Sequence, residues 1–277
     1  MRVMIFLKKC YFLMWKKVFF RLGNVHLAAE NARKFRLPFS SSEAYLRQSV
    51  SDAGRVGEYL GKIYQKDSYL HEALVNSCPS VLLDVGANIG LSTLSLIGAF
   101  PSIKRVIAIE AEEENYKILE RNFRLWGEQF ENIEFQPIFA VATHDVNVVV
   151  SQADSLADLT GNNSASGTFR FVCSSEGESS NRDVCKAISV NDLFRDIPMS
   201  ENIVAKVDIE GGEEYLFSDN TNWVERCTFI TMELHDRFHP SLLNSSRNTI
   251  AVLSKCDFAL AASEDVLYCY KRDLICS

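Results

Sequence analysis

Val81-Leu-Leu-Asp-Val-Gly-Ala-Asn-Ile-Gly90 runs from an apolar strand pattern, through an acid, into a loop bounded by glycines. Leu91 to Phe100 follow with helical spacing. Glycines at 86 and 90 permit a tight turn and close approach of a ligand, and the start of the following helix presents free backbone amides. The stretch therefore predicts a strand–loop–helix unit that opens a largely parallel α/β sheet and binds a ligand at the C-terminal end of its strand.

The rest of the chain extends this reading on both sides. Val106-Ile-Ala-Ile109 is a second strand pattern that ends at Glu110, 24 residues after Gly86. The helix expected next has Tyr116, Leu119, Phe123 and Trp126 at three- and four-residue spacing, and Glu112, Glu113 and Glu114 suit its positive end. Ile133 to Phe135 reads as a third strand. The alternation breaks over residues 137–188, where short β-like stretches surround polar loops, and an antiparallel segment inserted at about 145–188 is expected over one edge or over the site. Ser189 caps a short helix through Phe194, strands resume at Ile203–Val207 and Thr228–Leu234, and a helix covers Leu242–Lys255. Phe258–Ala262 and Val266–Tyr270 are expected to close the sheet as an antiparallel hairpin.

Composition agrees with a large core. The 277 residues are 47% apolar and 23% charged, which excludes disorder and collagen-like structure. Residues 1–38 carry nine Lys/Arg against Glu30, a net of +8; subtracting that from the total of −7 leaves −15 for residues 39–277. Three regions follow: a basic amphipathic arm (1–38), a helical lead-in (39–78) and the α/β domain (79–277). The lead-in is read as helix because Ser40-Ser-Ser-Glu43 has capping-box spacing and Tyr45, Leu46, Val56, Tyr59, Leu60 and Ile63 supply apolar positions. In the arm, Met4, Leu7, Tyr11, Met14, Trp15 and Val18 share one helical face, with lysine pairs mostly opposite. Two readings stand equally: an interfacial helix making peripheral membrane contact through residues 1–21, or a helix packed on the domain or a partner. Its longest uncharged run is too short to span a bilayer. Eight scattered cysteines without zinc-ligand spacing suit reduced thiols in the cytoplasm, with Cys173 and Cys185 as the one pair placed to bridge under oxidation.

The chemistry concentrates at expected strand ends. Asp84, Gly86, Asn88, Gly90 and Glu110 form a cofactor-binding set, with Glu110 placed to take both hydroxyls of a ribose. The loop reads Gly-Ala-Asn-x-Gly rather than G-x-G-x-x-G, lacking the spacing suited to a pyrophosphate. An acid at the end of the first strand also suits a cofactor with an amino-acid tail, so S-adenosyl-L-methionine is favoured over NAD. Downstream, Lys206-Val-Asp-Ile-Glu-Gly-Gly-Glu213 puts Lys206 and Asp208 on one strand face, and Glu233-Leu-His235-Asp236 lies at the next rim. If these strands are neighbours, Asp208, Glu210, Glu233 and His235 converge. Bland readings accompany several of them: Glu213 and Glu214 as charges at a helix start, Lys206 as an offset to the acids, Asp236 as a cap.

These elements resemble the FkbM-type S-adenosylmethionine-dependent methyltransferases. The resemblance rests on Leu82 to Gly90, on Ala108-Ile-Glu-Ala111 followed by Asn115 and Leu119, on Lys206 to Glu213 and on Met232-Glu-Leu-His235, in matching order over about residues 79–240. It implies a Rossmann-like class I methyltransferase fold, a mostly parallel seven-stranded sheet with an antiparallel last strand. It also implies O-methylation of a hydroxyl on a small molecule or glycan, commonly a sugar or a polyketide-type product. Phe135 to Ala140, where the adenine is expected, matches loosely, and the arm and insert lie outside the resemblance.

Methyl transfer to an alcohol gains from a base near the hydroxyl. His235 or Asp208 is expected to fill that role, with Glu210 orienting the acceptor and Lys206 and Glu233 on the substrate side. Asp208, Glu210 and Glu233 offer oxygen ligands for a divalent metal, but a metal is not favoured. A nucleic-acid or other N-methyltransferase is disfavoured by the −15 body and by the lack of an Asn/Asp-Pro-Pro-aromatic motif. A non-catalytic glycan-binding or membrane-scaffolding domain is the remaining alternative.

Overall fold

A computed structural model of the chain describes residues 29–37, 41–47, 52, 54–56, 69–143, 149–155, 169–174, 184–209, 212–235, 245–263 and 266–276. The expected interfacial helix, Glu210, Asp236 and the polar loops of the insert lie outside the described residues.

The first two strands, β1 (Arg33–Arg36) and β2 (Glu43–Leu46), pair antiparallel with Lys34 opposite Tyr45. The helix expected from the capping-box spacing at Ser40–Glu43 is thus a strand. Its burial has period two: Ala44 and Leu46 are fully buried, Glu43 and Tyr45 only partly. The strand's backbone is also held from outside. Tyr45 N donates to Asn122 Oδ1 (2.5 Å), Trp126 Nε1 donates to Glu43 O (2.8 Å), and the Arg121 guanidinium lies 4.1 Å from the centre of the Tyr45 ring. Tertiary hydrogen bonds here outweigh a local capping preference of about 1 kcal/mol. A described helix of the expected lead-in is α1 (Tyr69–Asn76).

The domain then alternates as expected: β3 (Val81–Val85), α2 (Leu91–Ala99), β4 (Arg105–Glu110), α3 (Glu113–Gln129), β5 (Glu134–Phe139). After the short β6 (Val141–Thr143) comes the insert, in which β7 (Val149–Ser155) pairs antiparallel with β8 (Phe169–Ser174) and β9 (Val184–Cys185). Cys173 and Cys185 both lie opposite Val150, on the two strands that flank β7. Two strand spacings, about 10 Å, separate them and exceed the ~7 Å reach of a disulfide. β10 (Ala187–Ser189) pairs parallel with β6 and leads into α4 (Val190–Phe194). The chain continues through β11 (Ile203–Val207), α5 (Glu213–Leu216), α6 (Asn222–Glu225), β12 (Cys227–Glu233), α7 (Ser245–Lys255), β13 (Phe258–Ser263), β14 (Val266–Lys271) and α8 (Asp273–Cys276).

Seven strands form one sheet in the order β13-β14-β12-β11-β3-β4-β5, parallel except for β14, which runs antiparallel to both neighbours. This is the Rossmann-like class I architecture with an antiparallel last strand. Both faces are covered, so β3 and β11 are buried at every position and read as unbroken apolar runs. Leu82, Val106 and Ala108 belong to the core built around Ile118, Leu119, Phe123 and Trp126; Leu83, Val85 and Ile107 belong to the opposite core around Leu216, Phe217 and Trp223. Pro137 sits on β5, an edge strand, where its missing N–H costs no ladder bond. Strand order reverses between β3 and β11, which places the C-terminal ends of β3, β4, β11 and β12 around one crevice. Among the described residues, no helix is long and apolar enough to cross a membrane.

Candidate active site

The loop after β3 is fixed by its neighbours. Gly86 has φ 78°, and a Cβ there would lie 1.8 Å from the backbone oxygen of Asp208. Only glycine lets the β3 loop pass that close to the end of β11. The sequence predicts amides in this region available to a ligand, and the structure uses those of 86–90 internally. Gly86 N and Ala87 N donate to Ile109 O, Asn88 N to Glu110 Oε2 (2.7 Å), Ile89 N to Asn88 Oδ1 (2.9 Å) and Gly90 N to Ala87 O.

Glu110, at the end of β4, closes the crevice on that side. Its Oε1 accepts from Glu112 N at 2.9 Å while Oε2 takes Asn88 N, so one carboxylate ties two loops together. Burial pushes its pKa above the usual glutamate value, against the pull of those two amides. Asp84 is fully buried; its Oδ2 accepts from Ser92 Oγ (3.0 Å) and Thr93 Oγ1 (2.5 Å), which fastens the start of α2 to the strand. Asp84 therefore supports the loop from beneath.

Lys206 stands between this half of the crevice and the other. Its Nζ donates to Gly86 O (2.6 Å) and lies 3.3 Å from Asp84 Oδ1 and 3.5 Å from Asp208 Oδ2. Burial disfavours the ammonium, but the two carboxylates overcome that and hold its pKa above the ordinary lysine value. Burial likewise works against the Asp208 carboxylate, and Lys206, Arg55 and His235 together hold its pKa below the usual range.

On the far side, His235 is 1% exposed and its Nδ1 lies 2.5 Å from Oε1 of the wholly buried Glu213, while Nε2 stands 3.7 Å from Asp208 Oδ1. Asp208, Glu233 and His235 each bring a ligand atom within 4.8 Å of the others. The expected convergence is therefore found for these three, and Glu210 lies outside the described residues. Two members have no separate signal in the sequence. Glu213, read as a charge at a helix start, is the partner of His235. Arg55 lies 3.9 Å from Asp208 Oδ2, carried there by a segment that a buried ion pair anchors. In that pair Arg47 Nη2 donates to Asp52 Oδ1 (2.7 Å) and to Asn115 Oδ1 of α3 (2.7 Å).

The family model described as the methyltransferase FkbM domain matches residues 84–260, a span that holds every residue of the crevice except Arg55. No curated protein matches the chain. Among solved structures it is similar to a methyltransferase FkbM from Methylobacillus flagellatus, at 19% identity and TM-score 0.45, over 70% of this chain and 44% of that one. It thus spans less than half the length of that protein. An O-methyltransferase from Bacillus cereus in complex with SAH is 12% identical, with TM-score 0.38, over 79% of this chain and 91% of that one. A precorrin-6y C5,15-methyltransferase from Geobacter metallireducens is 10% identical, with TM-score 0.33, over 72% and 84%.

Proposed function

The chain belongs to the FkbM methyltransferase family, and on that premise we propose that it is an S-adenosylmethionine-dependent methyltransferase that acts on a hydroxyl of a small molecule or glycan, a sugar being favoured. The observation that carries the cofactor assignment is the state of the 86–90 loop. All five amides are taken by acceptors of the chain itself, which leaves them unsuited to a pyrophosphate, whereas a carboxylate stands at the end of β4. That combination fits a cationic cofactor that carries a ribose and no phosphate.

Glu110 would take the ribose hydroxyls with the lone pairs that the two loop amides leave, and the Gly86–Gly90 turn with Asn88 forms the wall beside it. When bound, the cofactor supplies a methyl group on sulfonium: the acceptor oxygen forms the new C–O bond as the C–S bond breaks, its electron pair going to sulfur. What the chain must add is alignment of the oxygen and a place for its proton. Alignment is the larger demand, because effective molarities in well-oriented systems correspond to about 7–11 kcal/mol. The acceptor's position is the rim formed by Asp208, Glu233 and His235, with Lys206 tying it to the glycine loop. His235 is too buried to reach far into the crevice, so Asp208 and Glu233 face the acceptor and His235 stands behind them.

Calorimetry with S-adenosylmethionine and with NAD⁺, followed by transfer of a labelled methyl group to a panel of free sugars, glycans and polyketide-type alcohols, tests the reading. Binding of S-adenosylmethionine and base-stable label on a hydroxyl are the expected results. Binding of the dinucleotide alone would overturn it.

A further inference from the structure

We propose that the outer edge of β13 is a docking surface for a second copy of this chain. The two β13 strands pair antiparallel about a two-fold axis at Leu260, so that the two sheets become one. The inference stands apart from the methyl-transfer reading and needs no ligand in the crevice.

The seven-stranded sheet ends in β5 on one side and β13 on the other. A free edge offers a row of unpaired N–H and C=O groups, which folded proteins blunt with charge, proline, a bulge or a covering element. β5 carries Glu134 and Pro137. β13, Phe258-Ala-Leu-Ala-Ala-Ser263, carries neither charge nor proline, and its register with β14 runs without a bulge from Phe258 opposite Lys271 to Ser263 opposite Val266. Among the described residues, no strand pairs with its outer side. Leu260 is 39% exposed, and Ala261 and Ala262 are exposed as well. Phe258 shares a core with Leu253 of α7, and alternation puts Leu260 on the same sheet face. Ile250, one turn before Leu253 on that helix, is also exposed. An apolar strip thus accompanies an edge that no described element protects.

The occupant follows from the symmetry of the edge itself. Arg272 N donates to Asp257 O at 3.1 Å, which makes these two a hydrogen-bonded pair, and such pairs alternate along an antiparallel ladder. Ala259, Ala261 and Ser263 therefore turn their backbone groups to β14, and Phe258, Leu260 and Ala262 turn theirs outward. Two copies that meet with Leu260 opposite its counterpart put Phe258 opposite the counterpart of Ala262. All three outward residues of each strand are then paired, with about six hydrogen bonds.

Charge selects the same arrangement. Lys255, Lys271 and Arg272 outweigh Asp257 at the Phe258 end, a net of +2, whereas the sequence joins Ser263 to Val266 through Glu264 and Asp265, a net of −2. Antiparallel pairing lays the basic end of each strand beside the acidic end of the other; parallel pairing would set like charges together. β13 runs parallel to β12, so the two crevices open at opposite ends of the joined sheet, clear of the contact. One strand and one helix flank per copy make a small interface, near the lower limit of ~1,200 Å² for specific complexes, and micromolar affinity is expected.

Sedimentation velocity on the full chain, up to ~200 µM, tests this. A reversible monomer–dimer equilibrium is expected in the wild-type protein, a readout that needs no variant to fold. Leu260→Lys sets two ammonium groups face to face at the axis and should weaken the dimer at least ~10-fold. Ala262→Pro removes an outward N–H from each strand and should do the same. Met199→Lys, the same kind of change at an exposed apolar side chain on the loop before β11, should dimerise like wild type. Leu260→Cys brings two Cα atoms to about 5.5 Å across the axis, so copper phenanthroline should oxidise the pair to an intermolecular disulfide above the wild-type background. A wild-type chain that stays monomeric throughout the range means that the edge takes another partner or none. A dimer unmoved by Leu260→Lys, or a Leu260→Cys dimer that does not cross-link, means that the copies meet elsewhere. Each of these results overturns the proposal.

Discussion

Between Asp84 and Glu110 a single stretch of chain makes the half of the crevice proposed for the cofactor, whereas the acceptor half draws on Arg55, on Lys206 to Glu213 and on Glu233 to His235. The first half is closed by hydrogen bonds of 2.5–3.0 Å within the one strand–loop–helix–strand stretch from Asp84 to Glu112. In the second, the charged groups around Asp208 approach at 3.5–3.9 Å, and two of them, Arg55 and His235, come from segments far from its strand. A cofactor common to a family can be met by a rigid, locally encoded loop. The rim proposed for the acceptor is assembled from several segments, so a change in one of them would alter the fit without touching the loop. Lys206 is the group that belongs to both.

That position makes Lys206 the most damaging place to intervene. Lys206→Met keeps the aliphatic stem and removes the charge, so Asp84 and Asp208 lose the cation between them. A buried carboxylate deprived of its partner costs about 3–5 kcal/mol, and urea unfolding should show a loss of that order together with loss of S-adenosylmethionine binding. A variant that keeps its stability would mean that the two halves stand independently. Gly86→Ala should come next. The added Cβ meets the backbone oxygen of Asp208 at 1.8 Å in a left-handed conformation, so strain and overpacking together should cost about 2–4 kcal/mol. The same urea experiment reads it.

Arg55→Ala sharpens the contrast from the other side. The contact to Asp208 is long, at 3.9 Å, and the Arg55 side chain is 22% exposed, so stability should fall by less than ~1 kcal/mol. Cofactor affinity should stay within about twofold while acceptor turnover drops, since the ion pair is on the acceptor side only. Equal damage to cofactor binding would erase the distinction. Glu110 supplies a pH test within the cofactor half. Its pKa is raised above 4.5 by burial, so protonation is easier in the folded protein than in the unfolded chain. As pH falls through that raised value, its contribution to folding stability becomes more favourable, yet the ionised acceptor for the ribose is lost. Calorimetry should find S-adenosylmethionine affinity declining at a pH above the ordinary glutamate range, where thermal unfolding shows no matching loss. Parallel decline of both would assign Glu110 a structural role alone.

Legibility follows the same division. Val81–Gly90 and Glu110 could be read because strand, loop, helix and acid occur in one short window with fixed periodicity, and β3, β4 and β11 begin and end within a residue or so of where the apolar runs do. Asp208, Glu233 and His235 could be named from their places at strand ends, since β11 and β12 are neighbours. Glu213 and Arg55 could not be assigned their partners. A contact between side chains 22 residues apart, or between Arg55 and the end of β11, leaves no periodic mark in either segment. The β1–β2 hairpin was hidden for a related reason. Ser40 to Glu43 carries a genuine local helix signal, and the hydrogen bonds that override it come from Asn122 and Trp126, far along the chain.

The smallest expected effect is also the control for the largest claims made of the loop. Gly98 lies on the exposed side of α2, eight residues beyond Gly90, and a Cβ there meets nothing within 4 Å. Its backbone is ordinary helix, so Gly98→Ala faces neither the strain nor the collision of Gly86→Ala. The substitution removes conformational freedom from the unfolded chain and should stabilise the protein by roughly 0.5–1 kcal/mol in urea unfolding. Cofactor affinity should not change, because α2 keeps its start pinned through Ser92 and Thr93 to Asp84. Two Gly→Ala changes in one strand–loop–helix unit should therefore move stability in opposite directions. A loss at Gly98 comparable with that at Gly86 would trace the fragility to α2 as a whole and not to the crossing of the loop with the end of β11.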